Sequence, residues 1–303
     1  MSGKSSLAGH LASAGAYFIF GFNIVFCKDI ANAGVVSPIV LFTLRAIGAS
    51  LLFWAISFFL PKERIEKGDM WKIALASFLG LFMPQLTFLG AITMTTSIDS
   101  SVLGTLSPIF TMLFAAIFLK EPITFKKAAG VAISFAGILF LIYNSAHAAG
   151  GVEKTKPMGV VLMLLNGITF GSYLGIFRPL ISKYNVVTFM KWMFLFSVAM
   201  SLPFSARGLV TTEYAAIQTG TLLEILFVII FATFVSYFLI PMGQKRIRPT
   251  LVSMYSYIQP MVAVIISIIT GLDILTWEKV VAMVLVFAGV AIVNRSRAAG
   301  QSR

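Results

Sequence analysis

Residues 101–137 read SVLGTLSPIFTMLFAAIFLKEPITFKKAAGVAISFAG, and residues 253–289 read SMYSYIQPMVAVIISIITGLDILTWEKVVAMVLVFAG. Each stretch is a pair of apolar runs joined by a short turn. A run of about 20 apolar residues spans roughly 30 Å of hydrocarbon as a helix, which satisfies its own backbone hydrogen bonds where water is absent. Shifted by 152 residues without a gap, the stretches place Ser101 on Ser253, Pro108 on Pro260, Thr124 on Thr276 and Lys127 on Lys279. Phe135-Ala136-Gly137 falls on Phe287-Ala288-Gly289, and acidic Glu121 on Asp273. Most of these matches are not the bulk aliphatics that any two membrane helices share, so the stretches read as an internal duplication.

Working outward, the remaining sequence divides into apolar runs of similar length. The expected spans are Leu7–Phe26, Pro38–Leu60, Trp71–Ala91, Ile98–Leu119, Phe125–Tyr143, Met158–Leu180, Thr188–Ala206, Leu222–Met242, Leu251–Thr270 and Trp277–Val293. The fold class is therefore an all-α integral membrane protein with ten transmembrane helices. Residues 144–156, NSAHAAGGVEKTK, form the most linker-like stretch and divide the chain into a first half (1–143) and a second (157–303). Five spans per half is an odd number, so the halves enter the membrane in opposite senses and the duplication becomes an inverted repeat.

Loop charge is an independent check on the count. Lys4, Lys62, Arg64, Lys67, Lys72, Lys120, Lys126, Lys127, Arg178, Lys183, Lys191, Lys245, Arg246, Arg248, Arg295, Arg297 and Arg303 all fall on one side. The other side holds only Lys28, Lys154, Lys156, Arg207 and Lys279, and Arg45 lies within a span. The positive-inside rule then puts both termini in the cytoplasm and residues 144–156 outside. A composition of 58% hydrophobic and 11% charged residues suits a bundle solvated by lipid. The net charge of +12 is accounted for by orientation signals and contacts to anionic lipid, so no nucleic-acid partner is expected.

Two mid-span prolines, Pro108 and Pro260, follow the polar segments Gly104–Ser107 and Ser256–Gln259. Proline removes a backbone donor and crowds the carbonyl four residues earlier, so both helices are expected to kink, in matching places. Gly167, Gly171 and Gly175 place three glycines on one helix face, a close-packing stripe that could also slide. Ala128, Ala132 and Ala136 read as a second packing stripe.

These residues resemble the EamA-type family of the drug/metabolite transporter superfamily. The resemblance rests on Ser107-Pro108, Leu119-Lys120-Glu121-Pro122-Ile123-Thr124, Gly130 and Phe135-Ala136-Gly137. It returns more loosely at Gln259-Pro260, Gly271, Asp273, Thr276-Trp277 and Phe287-Ala288-Gly289, with support from Phe20-Gly21-Phe22-Asn23 and Leu44-Arg45. The resemblance implies a ten-helix carrier of two inverted repeats working by alternating access. Spans one, three, four, six, eight and nine would surround the cavity, and five and ten would brace the periphery. The second copy departs from the pattern with Leu272-Asp273-Ile274 in place of Lys120-Glu121-Pro122, and span seven offers no partner for Arg45.

Candidate solute contacts are polar side chains deep in spans, whose removal from water requires hydrogen bonds or a wet cavity. They are Asn23, Gln85, Ser101, Thr105, Asn166, Tyr173, Tyr237, Ser253, Tyr257 and Gln259. Each fits either a helix-to-helix hydrogen bond or a cavity wall. Arg45 either snorkels, makes a structural hydrogen bond, or contacts an anionic solute. Asp99 reads as a helix N-cap rather than a proton carrier, and Glu121 and Asp273 as structural groups in turns. No carboxylate is placed securely at mid-membrane.

His10 and His147 lie near a tail and in the linker, so no metal site, cofactor or catalytic base is expected and an enzyme is disfavoured. Gly3-Lys4-Ser5 cannot complete a phosphate-binding loop, so neither ATP hydrolysis nor an ATPase subunit is expected. Cys27 has no partner for an internal disulfide, and no cleaved signal is expected. The expected function is a secondary transporter, an exporter of a small organic metabolite or drug-like solute, in a bacterial cytoplasmic (inner) membrane. The alternative is a permease or structural subunit of a larger complex. Solute identity, coupling ion and oligomeric state are not legible.

Overall fold

The computed structural model describes residues 3–119, 125–147 and 155–295. Glu121, Lys120, Lys154, Arg297, Arg303 and residues 148–154 of the expected linker lie outside the described residues. The described residues are helical and contain no strand. Ten helical stretches are labelled here: α1 Gly3–Ala33, α2 Pro38–Ser57, α3 Lys67–Ile92, α4 Ser97–Phe118, α5 Phe125–His147, α6 Pro157–Ile176, α7 Val186–Thr211, α8 Thr219–Arg246, α9 Pro249–Thr270 and α10 Trp277–Arg295. Among the described residues, eight of them are long and apolar enough to cross a membrane.

Large apolar side chains face outward along the bundle, among them Leu11, Phe18, Leu51, Ile117, Ile265 and Ile269. Exposed leucine and phenylalanine at this density suit lipid as solvent and would be an aggregation hazard in water. Helix contacts instead use small residues. A Cβ on Gly171 would meet Phe110 Cβ at 2.7 Å and the Thr111 backbone nitrogen at 2.9 Å, and one on Gly175 would meet Phe114 Cβ at 2.9 Å. The α6 glycine stripe therefore lets α4 approach at backbone distance. The alanine stripe of α5 does not pack in this way: Ala128, Ala132 and Ala136 are exposed. The packing face is Gly130, Ser134 and Gly137, which lie against Ala282, Leu285, Val286 and Gly289 of α10. The face is marked by glycine and serine because only they let the two backbones touch.

Local irregularities recur at roughly the same places in the two halves. A π-helical turn occupies Phe78–Phe82 in α3 and another Val228–Val235 in α8. In α8 the hydroxyls of Thr233 and Ser236 donate to carbonyls five residues back, at 2.7 and 3.1 Å, which matches the wider turn. α4 opens before Pro108, where Thr105 and Leu106 make i−3 bonds of 3.1 Å, and α9 passes through a 3₁₀ turn at Tyr255–Tyr257 before Pro260. Proline deletes a donor and forces the tighter turn. α9 ends at Gly271, whose φ of +70° is a left-handed cap that other residues rarely adopt.

Two polar clusters tie the ends of the bundle. At one end Asp69 accepts from Lys72 (2.8 Å), Lys183 (2.6 Å) and the Tyr184 hydroxyl (2.8 Å). Hydrogen bonds to Asp69 and Glu66 hold the Lys183 ammonium well above the usual lysine range. At the other end Asp273 pairs with Lys279 at 2.6 Å, both buried, and accepts the backbone N–H of Ile98 at 3.0 Å. Thr96, not Asp99, caps α4: its hydroxyl accepts from the Asp99 N–H at 3.2 Å. Asp99 instead sits in the first turn, where its carboxylate accepts from Thr155.

Candidate functional site

A cavity of about 70 Å³ lies where α1, α3, α4, α6, α8 and α9 converge. α5 and α10 stay outside it and pack on one another through Ser134, whose hydroxyl donates to Val286 O at 3.3 Å. Of the sequence candidates, Asn23, Gln85, Asn166, Tyr237 and Gln259 line the cavity. Ser101, Thr105, Tyr173, Ser253 and Tyr257 do not, and neither do Arg45, Pro108 or Pro260.

The misses share a cause. In α4 the wall is Ser100, Gly104 and Ser107, a stripe at i, i+4 and i+7, while Ser101, Thr105 and Pro108 form the adjacent stripe, about 100° further round. Turned away from the cavity, Ser101 and Thr105 donate to carbonyls three residues back at 2.6 Å each. In α9 the wall is Ser256 and Gln259, and Ser253 likewise bonds back to Thr250 O at 3.0 Å. Tyr257 packs edge-on to Phe287. Tyr173 is buried beneath Gly80, where a Cβ would strike its ring at 2.6 Å.

The wall is neutral and mixed. Its carboxamides are Asn23, Gln85, Asn166 and Gln259. Gln85 Nε2 donates to the Tyr237 hydroxyl at 2.8 Å, and Asn166 Nδ2 to Pro84 O at 2.7 Å, so two amides from different halves are held in place. Gln85 and Tyr237 are themselves 152 residues apart, as are Ser134 and Val286. Buried Gln85 Oε1, Tyr17 Oη and Ser256 Oγ have no protein partner and are available to a solute. The rest of the surface is aromatic: Phe20 meets Tyr237 edge-on at 5.7 Å and Tyr17 at 5.8 Å, with Phe170 and Phe88 on the wall beside them. The sequence reading missed Tyr17, Ser100 and Ser256; their signal was only being polar in a span, and rotation within the helix decided which of the polar residues counted.

The arrangement can hold an organic molecule of modest size between rings and carboxamides. Its lining carries no charged side chain, and among the described residues no three of His, Cys, Asp and Glu converge as metal ligands would.

The family model described as the EamA-like transporter family matches the chain twice, over residues 7–143 and 157–295. The chain belongs to the EamA-like transporter family. Together with its apolar helices, that makes it a membrane protein of transporter type. An uncharacterized transporter of Archaeoglobus fulgidus is 29% identical over 86% of this chain and 90% of its own. The uncharacterized transporter YetK of Bacillus subtilis is 22% identical over 87% and 80%. A protein of Streptantibioticus cattleyicolor named "Probable terminal-alkyne amino-acid exporter" is 27% identical over 67% and 66%. A solved crystal structure superposes with a TM-score of 0.66 over 96% of both chains at 16% identity, which establishes a shared fold. Family membership and the bacterial relatives agree with a location in the cytoplasmic membrane.

Proposed function

We propose that this EamA-like protein is a secondary transporter that carries a small organic solute out of the cell by alternating access through the central cavity. The observation that carries this reading is the cavity itself, a neutral wall of carboxamides and aromatic rings drawn from helices of both halves at their breaks. The reading includes ten spans in two inverted halves, with residues 144–156 outside and both termini in the cytoplasm. The matching π turns of α3 and α8, the proline breaks 152 residues apart and the contact between equivalent positions Ser134 and Val286 support it. Two halves of like structure and opposite sense can exchange conformations, which opens the same site to either face in turn. The exporter relative supports an outward direction and a solute of amino-acid size.

The test is transport by purified protein in liposomes without ATP or a second subunit, screened across amino acids, nucleosides and cationic drugs. Movement of a solute that saturates, with an apparent affinity altered by Gln85→Ala or Gln259→Ala, is the expected result. No movement from the purified chain, restored by a co-purifying subunit, would favour the alternative of a component of a larger complex.

A further inference from the structure

We propose that Arg45 makes the cavity selective for solutes that carry a carboxylate, acting from one layer behind the neutral wall. This deepens the transport reading and rests on it.

Arg45 is only 1% exposed, in the apolar middle of α2. Guanidinium does not deprotonate in proteins, so the residue is a fixed buried cation. Its Nε donates to Thr233 Oγ1 at 2.8 Å and its Nη1 to Cys27 Sγ at 3.6 Å, while Nη2 has no partner. Thr233 spends its own proton on Val228 O, so both partners are neutral and one is a weak acceptor. Among the described residues no carboxylate pairs with Arg45. Glu224 of α8 acts electrostatically on Cys27, as Arg45 does, but forms no ion pair with the guanidinium. Buried charges are ordinarily paired, because an uncompensated ion in a low-dielectric interior is costly. A cation kept in this state beside a cavity needs an anion from outside the chain.

The path from Arg45 to the cavity is short. Cys27, which takes its Nη1, donates to Asn23 Oδ1 at 3.5 Å, and Asn23 is on the wall. The guanidinium also acts electrostatically on Tyr237, the residue that Gln85 fixes on the opposite side. Two steps of that length reach Asn23 itself, and a hydrogen bond of about 3 Å from Asn23 puts a solute group about 10 Å from the charge. At an effective dielectric constant near 20, a unit charge at about 10 Å favours a carboxylate over its neutral amide on the order of 15-fold. Water in the open cavity reduces this, so about tenfold is the effect to look for. The apolar body of the solute would lie on Phe20, Phe88 and Phe170. A neighbouring ammonium would find the unpaired Gln85 Oε1, so amino acids fit as well as simple aryl carboxylates.

The test compares phenylacetate with phenylacetamide, which share a ring and differ in charge, by thermal stabilisation of the purified full-length protein at pH 7. The wild type should bind phenylacetate about tenfold tighter. In Arg45→Gln the preference should fall to near unity, and Arg45→Lys should restore much of it. Because the ratio is taken within each protein, a general loss of stability cancels, and a wild-type ratio at or below unity overturns the inference even where a variant does not fold. Equal or tighter binding of the amide by the wild type overturns the inference, as does a preference that survives in Arg45→Gln or the absence of stabilisation by either compound. Any of these leaves the transport reading standing if liposomes still move a neutral solute in a manner sensitive to Gln85→Ala.

Discussion

Replacing Lys279 with Met tests how the two halves are held together. Lys279 Nζ lies 2.6 Å from Asp273 and 3.3 Å from the Thr96 hydroxyl, and the paired side chains are 8% and 2% exposed. Asp273 in turn accepts from the Ile98 N–H at 3.0 Å and the Ile274 N–H at 2.7 Å, so it anchors the start of α4 to the turn before α10. Methionine keeps the length and volume of lysine but leaves a carboxylate buried with two backbone donors and no cation. Removing one partner of a buried ion pair costs about 3–5 kcal/mol, mostly the penalty of the stranded charge. For a chain of this size that corresponds to a fall of roughly 6–20 °C in unfolding midpoint, read in detergent at a fixed heating rate because such unfolding is governed by kinetics. The double variant Asp273→Asn with Lys279→Met removes both charges and leaves at most one backbone N–H unsatisfied, worth about 1–3 kcal/mol, so it should recover a substantial part of the loss. A single variant within about 1 kcal/mol of wild type, or a double variant no better than the single, would refute the reasoning.

Three further outcomes are expected. Gln85→Ala or Gln259→Ala should weaken apparent solute affinity by about 0.5–1.5 kcal/mol, two- to tenfold, with normal membrane insertion, measured as the half-saturating concentration in liposomes. The matched control is Val161→Ala on the exposed face of α6; equal effects in control and cavity variants would move the pathway elsewhere. Gly171→Val should lower expression and detergent stability by at least 1–3 kcal/mol, since its Cβ meets backbone of α4 that cannot give way, and a wild-type melting curve would count against that packing. Single cysteines in residues 61–70 and the carboxyl tail should react with an impermeant reagent only from the cytoplasm, and those in 144–156 only from outside; reaction of both sets from one face would sink the inverted arrangement.

How much of this was legible in advance depends on which physical signal carries each feature. Long apolar runs, the linker and the motifs around Pro108 and Phe135-Ala136-Gly137 are properties of the chain itself, so a helical membrane protein of this family could be recognised from residue order. The paired proline breaks were legible for the same reason, since proline acts on its own backbone. The cavity wall was only partly so. Ser100 and Ser101 are adjacent serines in one apolar helix, yet one faces the cavity and the other bonds back to its own turn. In a water-soluble helix the polar face marks which side looks outward, but a helix surrounded by lipid and protein is apolar nearly all round, and its sequence does not mark a rotation. Rotation is set by the neighbours, through contacts such as Gly171 on Phe110 or Gly289 on Ser134. The sequence by itself thus determined that the chain lives in a membrane, where its helices break and which family it belongs to. Only the tertiary structure decided which polar groups meet at the centre, and that Arg45 is buried with no carboxylate partner among the described residues. The first set follows from local hydrophobicity and backbone chemistry, and the second from the packing of residues far apart along the chain.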